Sequence, residues 1–256
     1  MFETICLDAA AFLGALHVIG PAVARYTMRF AAHCIPNPAG MDELPHEVAT
    51  LFGSRIPELA NIGFEPVGCY DCGGLTNETH SYVAYFCNRA TNDFANVCVM
   101  VTPQKMASYL ELSTSFTNGL TLETNTNGAL PLTPQDPSHR VFRFPKITKA
   151  QELYRIHRRL IEKYAAGLWP QAEPSGEELR RYIRVIENYG PRHARIGYMQ
   201  LTDGGKWYRL TWKGATLMTW RGLWPTPSFR KWWQRQAMQA ELDSLETRGI
   251  TALQKA

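Results

Sequence analysis

The stretch that most constrains the fold is a hairpin pattern at residues 109–126, YLELSTSFTNGLTLETNT. Apolar and polar side chains alternate on both sides of Asn118-Gly119, as they do in half-buried strands. A two-residue type I′ turn there would mix apolar and polar residues on each face of the hairpin. A three-residue loop that ends at Gly119 pairs Phe116 with Leu120 and keeps both faces consistent. We therefore predict a G1 bulge with Gly119 in the left-handed conformation.

The same register places two glutamates on the polar face of the hairpin. It sets Ser113 opposite Glu123 and Glu111 opposite Asn125, so the two glutamates are diagonal neighbours. A general acid–base pair needs two carboxyl groups close together, which makes an enzyme that uses this face one hypothesis. Glutamates on an open sheet face are more commonly solvated, and we expect solvated side chains here.

Strand patterns also occur on both sides of this hairpin. Residues 81–88 and 94–101 are apolar on both faces, as is typical of central strands. Further strands are predicted at 64–70 and 140–144, and amphipathic helices at 46–61 and 150–164. The predicted fold class is α+β: an antiparallel meander of five to six strands flanked by helices. A mostly helical, basic C-terminal half follows it, with one extra hairpin at 198–211.

These patterns divide the chain into three predicted parts. Residues 1–40 hold an apolar helix, a possible membrane anchor, and a linker rich in proline and glycine. Residues 41–147 hold a helix and the antiparallel sheet. Residues 148–256 form a basic, tryptophan-rich helical region, in which we expect Ser175 and Glu178 to cap a helix that breaks at Gly190-Pro191.

The most apolar run is AAAFLGALHVIGPAVA, residues 9–24. It is shorter than the roughly 20 residues that span a bilayer as a helix, and extending it back to Ile5 includes Asp8. Arg25 and Arg29 follow the run, so an anchor would leave the rest of the chain on the cytoplasmic side. The alternative is a buried helix kinked at Pro21. No basic residue precedes the run, unlike in a secretory signal.

Charge is distributed unevenly along the chain. Residues 1–139 hold five Lys/Arg and thirteen Asp/Glu (−8), residues 140–235 twenty and seven (+13), and residues 236–256 two and three (−1), which gives +4 in all. A basic half fits an anionic partner or solvated helix faces. The six cysteines lack the regular spacing of a secreted disulfide scaffold. We expect a protein of the cytoplasm or of the cytoplasmic side of a membrane.

Short motifs offer little catalytic chemistry. Cys69 and Cys72 form a CxxC motif, which could bind zinc if two further ligands lay nearby. A pair of cysteines without a metal is the more common case, and we favour it here. No serine lies in a G-x-S-x-G elbow, and no glycine run matches a P-loop or dinucleotide fingerprint. We expect no cofactor.

Residues 196–214, IGYMQLTDGGKWYRLTWKG, resemble the end of a winged-helix domain, where a recognition helix leads into a two-stranded wing. The resemblance implies nucleic-acid binding through residues 176–235. Arg192 and Arg195 would then face the groove, and Lys206 and Arg209 would contact phosphates. The expected break at Gly190-Pro191 leaves barely more than one turn for the recognition helix.

The end of the basic region is rich in tryptophan. Five tryptophans (Trp212, Trp220, Trp224, Trp232, Trp233) are interleaved with five cations (Lys213, Arg221, Arg230, Lys231, Arg235). This pattern suits the lipid headgroup layer, or else the rings pack on the sheet. Our leading hypothesis from sequence is a non-enzymatic binding or scaffold protein at the cytoplasmic face of a membrane, with Arg230, Lys231 and Arg235 as further anionic-partner contacts. Nucleic-acid binding is the alternative, and an enzyme the second alternative; a protein partner stays unknown.

Overall fold

The structure is a computed structural model that describes residues 2–253 except 34, 35, 74–78, 103, 104 and 224. The side chains of residues 2–13, 203 and 247–253 also lie outside the description. The predicted roles of Trp224 and of the first part of the apolar run at 9–24 therefore fall outside the described residues.

The described residues form seven α-helices and ten β-strands. The helices are α1 (Phe2–Thr27), α2 (His46–Ala60), α3 (Ala150–Tyr164), α4 (Glu178–Glu187), α5 (Tyr189–Arg195), α6 (Trp212–Gly222) and α7 (Thr226–Leu253). The strands are β1 (Arg29–Ala31), β2 (Asn37–Pro38), β3 (Glu65–Asp71), β4 (His80–Asn88), β5 (Asp93–Val101), β6 (Met106–Ser115), β7 (Thr121–Asn125), β8 (His139–Arg143), β9 (Met199–Thr202) and β10 (Trp207–Leu210). The α+β class and the helical C-terminal half with its extra hairpin are confirmed.

The chain divides into two compact units, each made of separate segments. Unit 1 comprises Met1–Cys34, Leu130–Pro134 and Val185–Trp233. Unit 2 comprises Ile35–Ala129, Gln135–Arg184 and Gln234–Ala256.

Unit 2 contains a seven-stranded sheet with the order β2-β3-β4-β5-β6-β7-β8. The β6–β7 hairpin has the predicted register, with Ser113 opposite Glu123 and Glu111 opposite Asn125. Phe116 N donates to Leu120 O at 2.8 Å, and Gly119 has φ of 85°. The three-residue loop and the left-handed glycine are thus confirmed, because the apolar pattern permits only this register.

The sheet differs from a simple meander at both of its edges. β8 runs parallel to β7 instead of antiparallel, since the long segment between them returns the chain to the other end of the hairpin. At the opposite edge, Asn37 and Pro38 pair with β3. Proline is acceptable at a sheet edge because its missing N–H faces away from the partner strand, so a predicted linker residue became part of a strand.

One face of the sheet, the core face, carries the main hydrophobic core. Val97 of β5 and Leu112 of β6 pack there with Phe52 of α2 and Leu153 of α3. The stripe of α3 repeats at three- and four-residue spacing, which explains why both its bounds match the prediction. The core also includes Leu245 of α7.

A buried polar cluster joins α3 to the core face. His157 of α3 is fully buried, and its Nε2 and Nδ1 lie 2.9 Å from the hydroxyls of Thr114 and Thr124 respectively. Thr114 donates to Asp93, whose second oxygen accepts from Tyr154 and Arg158 at 3.0 Å each. Each of these side-chain groups has a hydrogen-bond partner, so the cluster fixes α3 to the sheet without the cost of leaving them unsatisfied.

Unit 1 contains a three-stranded sheet with the order β1-β10-β9. The β9–β10 hairpin was predicted, but the pairing of β1 with β10 was not. The predicted helix break lies at Asn188, since Gly190 and Pro191 are both inside α5. Pro191 is tolerated because it stands in the first turn of α5, where an N–H has no intrahelical acceptor.

Helix α1 belongs to unit 1 and continues through Pro21. Val18 and Val23 are exposed but Pro21 is buried, so the described part of this run is a partly buried helix and not the fully buried one of the alternative. Arg25 of α1 donates to Leu210 O of β10 at 2.7 Å. Among the described residues, no helix combines the length and the apolar character needed to cross a bilayer.

Candidate active site

The face of the unit 2 sheet opposite the core face, the polar face, carries an unusual set of buried polar side chains. Asn96, Ser113, Glu123 and Asn125 are each at most 9% exposed. The expectation of solvated glutamates on an open sheet face is therefore wrong for Glu123. Burying so many polar groups is costly unless they bind one another or a ligand.

Glu111 and Glu123 are brought together by the register of the hairpin. They are diagonal neighbours across β6 and β7, and the charge of Glu123 acts on Glu111. Asn96 of β5 donates to Glu111 Oε1 at 3.0 Å. The negative charge of one carboxyl group therefore opposes ionisation of the other.

His139 and Asn125 hold the second carboxyl group of the pair. His139 Nε2 lies 2.8 Å from Glu123 Oε2, and Asn125 Nδ2 donates to Glu123 Oε1. The parallel pairing of β8 with β7 puts His139 opposite Thr121 on the same face as Glu123. Sequence reasoning missed His139 because its position depends on a parallel pairing across a long connection, which leaves no local signal.

The surroundings shift the pKa values of the two glutamates in opposite directions. Burial, together with the negative charge of Glu123, raises the pKa of Glu111 well above its usual value. Burial alone would also raise the pKa of Glu123, but the hydrogen bond and charge of His139, with the Asn125 hydrogen bond, outweigh burial and lower it. Glu111 therefore keeps its proton to higher pH than Glu123 does, which assigns Glu111 as the acid and Glu123 as the base.

Two further groups beside the pair retain hydrogen-bonding capacity. The positive charge of Arg143 acts on both glutamates. Its buried Nε has no hydrogen-bond partner among the described residues, and neither has the buried Oδ1 of Asn96. A buried donor and a buried acceptor without partners are what a polar ligand would satisfy.

The polar face is partly covered by α4, which carries two buried side chains towards it. The Arg181 guanidinium lies 3.8 Å from the centroid of the Phe94 ring and donates to the hydroxyls of Tyr85 and Ser115 at 3.1 Å. Burial raises the pKa of Tyr85 to about 12, so this phenol stays protonated. The centroids of the Tyr182 and Tyr85 rings lie 5.0 Å apart. Helix α4 thus forms one wall of the candidate site.

No protein-family model, no curated protein and no solved structure matches the chain. The function is therefore argued from the geometry of the chain itself.

The two CxxC cysteines occupy different environments. Cys69 pairs in register with Ala84 on the core face, and its Sγ lies 3.7 Å from Met41 Sδ. Cys72 Sγ is buried 3.8 Å from the Tyr182 hydroxyl. In the described part of the chain, no group of three or more His, Cys, Asp or Glu side chains has a metal-binding arrangement.

The cations predicted to meet an anionic partner are dispersed over several elements. Arg195, Lys206, Lys231 and Arg235 are exposed, whereas Arg192, Arg209 and Arg230 are half-buried. Arg209 of β10 pairs in register with Arg29 and Gln200 on its two neighbours. Arg230 donates to the backbone oxygens of Arg221 and Pro131, so its side chain also supports the fold of unit 1. None of these cations belongs to the glutamate pair.

Proposed function

We propose that the protein is an enzyme that hydrolyses acyl bonds by general acid–base catalysis, with Glu111 as the acid and Glu123 as the base. The observation that carries the proposal is this pair of neighbouring carboxyl groups, whose pKa values their surroundings shift in opposite directions. It lies on a face where His139 and Asn125 hold Glu123 and Asn96 holds Glu111. Such positioning by neighbouring groups is what proton transfer requires.

The proposed reaction follows from one proton and two carboxyl groups. Glu123 removes a proton from water as the water oxygen attacks the substrate carbonyl carbon, and Glu111 gives its proton to the carbonyl oxygen. When the tetrahedral intermediate collapses, Glu123 gives its proton to the leaving group, and the hydroxyl proton returns to Glu111. Both carboxyl groups then regain their initial states. Two neighbouring carboxyl groups whose pKa values are shifted in opposite directions are suited to such an exchange.

The proposal can be tested before a substrate is known, with the epoxide 1,2-epoxy-3-(4-nitrophenoxy)propane. The Glu123 carboxylate is expected to open the ring and form an ester, while Glu111 protonates the departing oxygen. Mass spectrometry of the digested protein should locate one label at Glu123. In Glu111→Gln, which replaces a protonated carboxyl by a neutral group of similar shape, labelling should slow by about 100-fold or more because the acid is missing.

Glu47→Gln is the matched control, because Glu47 is exposed on α2 and lies outside the site. Its labelling at Glu123 should equal that of the wild type. Labelling of Glu123 no faster than that of Glu47, or an unchanged rate in Glu111→Gln, would contradict the proposal. A panel of chromogenic esters and anilides then identifies the acyl group, with Glu111→Gln as the inactive reference.

A further inference from the structure

Unit 1 exposes six large aromatic side chains, which we call the aromatic surface. Its members are Tyr26 of α1, Trp212 and Trp220 of α6, and Phe229, Trp232 and Trp233 of α7, each more than half exposed. Single exposed apolar side chains are ordinary, but a group of large aromatic ones in one compact unit marks an interaction site.

Contacts in unit 1 link the helices that carry the aromatic surface. The Tyr26 and Trp212 rings meet edge to face with centroids 6.3 Å apart, and Trp220 Nε1 donates to the backbone oxygen of His17 at 3.3 Å. Arg230 of α7 donates to Arg221 O of α6 at 3.3 Å. The aromatic side chains therefore lie on helices that contact one another.

The three aromatic residues of α7 lie on one side of that helix. Phe229, Trp232 and Trp233 are spaced at i, i+3 and i+4, which brings side chains together on a helix surface. The Trp232 and Trp233 rings lie 6.2 Å apart between centroids. Val18, Ile19 and Val23 add exposed aliphatic side chains on α1.

Basic residues accompany these aromatic ones. Lys213 and Lys231 are exposed next to Trp212 and Trp232 in the chain, and the Arg25 guanidinium lies 5.1 Å from the centroid of the Trp212 ring. Unit 1 holds ten Lys/Arg and four Asp/Glu, a formal charge of +6. The cores of protein–protein interfaces are depleted of lysine, whereas tryptophan with lysine or arginine is typical of the headgroup layer of a membrane.

We propose that the aromatic surface docks unit 1 onto an anionic lipid bilayer, with the tryptophan rings at headgroup depth and Lys213 and Lys231 near the lipid phosphates. The rings supply apolar contact area and the cations supply attraction to the negative surface. The protein would lie on the membrane, in agreement with the lack of a helix able to span it among the described residues. This function uses none of the residues of the glutamate pair.

The test is co-sedimentation of the full chain with vesicles of phosphatidylcholine mixed with phosphatidylserine, and with vesicles of phosphatidylcholine alone. The wild type should bind the anionic vesicles more tightly. The variant Trp232→Ala/Trp233→Ala should bind them at least about 10-fold more weakly, because two aromatic side chains no longer enter the headgroup layer. Both tryptophans are exposed, so their replacement leaves the cores of the protein intact.

Trp169→Ala is the matched control, because Trp169 is 78% exposed but belongs to unit 2. It should bind vesicles as the wild type does. Absence of vesicle binding, or equal binding by the double variant, would overturn the proposal. Salt-dependent retention on double-stranded DNA, without vesicle binding, would show that the partner of unit 1 is nucleic acid and not lipid. A wild-type dimer that dissociates in the double variant, without vesicle binding, would show that the aromatic surface binds a second copy of the chain and not lipid.

Discussion

At the scale of single residues, the protonation of His157 is defined by its partners. The Thr114 hydroxyl donates its hydrogen bond to Asp93, so its oxygen can only accept one from His157 Nε2. Nδ1 of the neutral imidazole then accepts from the Thr124 hydroxyl. Burial lowers the pKa of His157 to about 4, even though the charge of Asp93 opposes this effect. The ring is therefore a neutral structural bridge between α3 and the sheet.

This pKa predicts a loss of stability in mild acid. An unfolded histidine has a pKa near 6.5, so between roughly pH 6.5 and 4 the unfolded chain binds a proton that the folded chain does not. The free energy of unfolding should therefore fall by about 3 kcal/mol as the pH drops through this range. Urea titrations at several pH values measure this change.

His157→Gln separates the contribution of His157 from those of other titrating groups. The variant should be less stable than the wild type at pH 7, by about 2 kcal/mol, since two buried hydrogen bonds are altered. Because the wild type alone loses about 3 kcal/mol, the difference between the two proteins should vanish and then reverse sign towards pH 4. A difference that stays constant with pH would mean that the pKa of His157 is the same in the folded and the unfolded protein.

At the scale of elements, the β6–β7 hairpin illustrates how a turn fixes a functional pair. A shift of its register by one residue would place Glu111 and Glu123 on opposite faces of the hairpin. Gly119 supports the register through its φ of 85°, and no atom lies within 4 Å of the position a Cβ would take. A side chain there would meet only conformational strain, without a clash.

Two glycines with open surroundings should therefore respond oppositely to the same substitution. Gly119→Ala should lower the free energy of unfolding by about 1 kcal/mol, since alanine disfavours the left-handed region. Gly53→Ala in the interior of α2 should raise it by about the same amount, since alanine favours a helix. Chemical denaturation measures both. Equal signs for the two variants would contradict the G1 bulge.

The elements that sequence predicted correctly are those with a local pattern. The alternation around Gly119 specifies its hairpin, and the stripe of α3 specifies both helix bounds. The unpredicted pairings, of β1 with β10 and of β8 with β7, join segments far apart in the chain. The candidate site was half predictable for the same reason: Glu111 and Glu123 share a hairpin, whereas His139 reaches Glu123 only through the β7–β8 pairing.

At the scale of the whole molecule, each unit has a hydrophobic core of its own residues. Tyr198, Leu210 and Ala215 belong to the core of unit 1, and Val97 and Leu112 to that of unit 2. The clusters share no residue. The acidic and basic halves of the sequence do not coincide with the two units, because both units draw on both halves.

A single substitution should therefore destabilise one core in preference to the other. A Cβ at Gly214 would overlap the backbone oxygen of Tyr198, so Gly214→Ala should destabilise unit 1 by about 3 kcal/mol. Most tryptophans belong to unit 1, so fluorescence reports its unfolding. The fluorescence midpoint in urea should fall, while epoxide labelling of Glu123 in unit 2 should persist to higher urea.

Gly14→Ala is the control in unit 1, because Gly14 lies in α1 with no atom within 4 Å of its added Cβ. It should leave the fluorescence midpoint unchanged or slightly higher. Loss of fluorescence and of labelling at one midpoint in Gly214→Ala would show that the two units unfold together.

The pairing of β1 with β10 also has a consequence for the order of events on the ribosome. Arg29 is synthesised early, but its partner Arg209 emerges only after every strand of the seven-stranded sheet has left the exit tunnel. β1 must therefore stay without its partner β10 while the seven-stranded sheet that follows it is completed. A nascent chain stalled before β10 would expose the unpaired edge of β1. Such an edge can pair with another chain, so chaperone binding should matter most at this stage of synthesis.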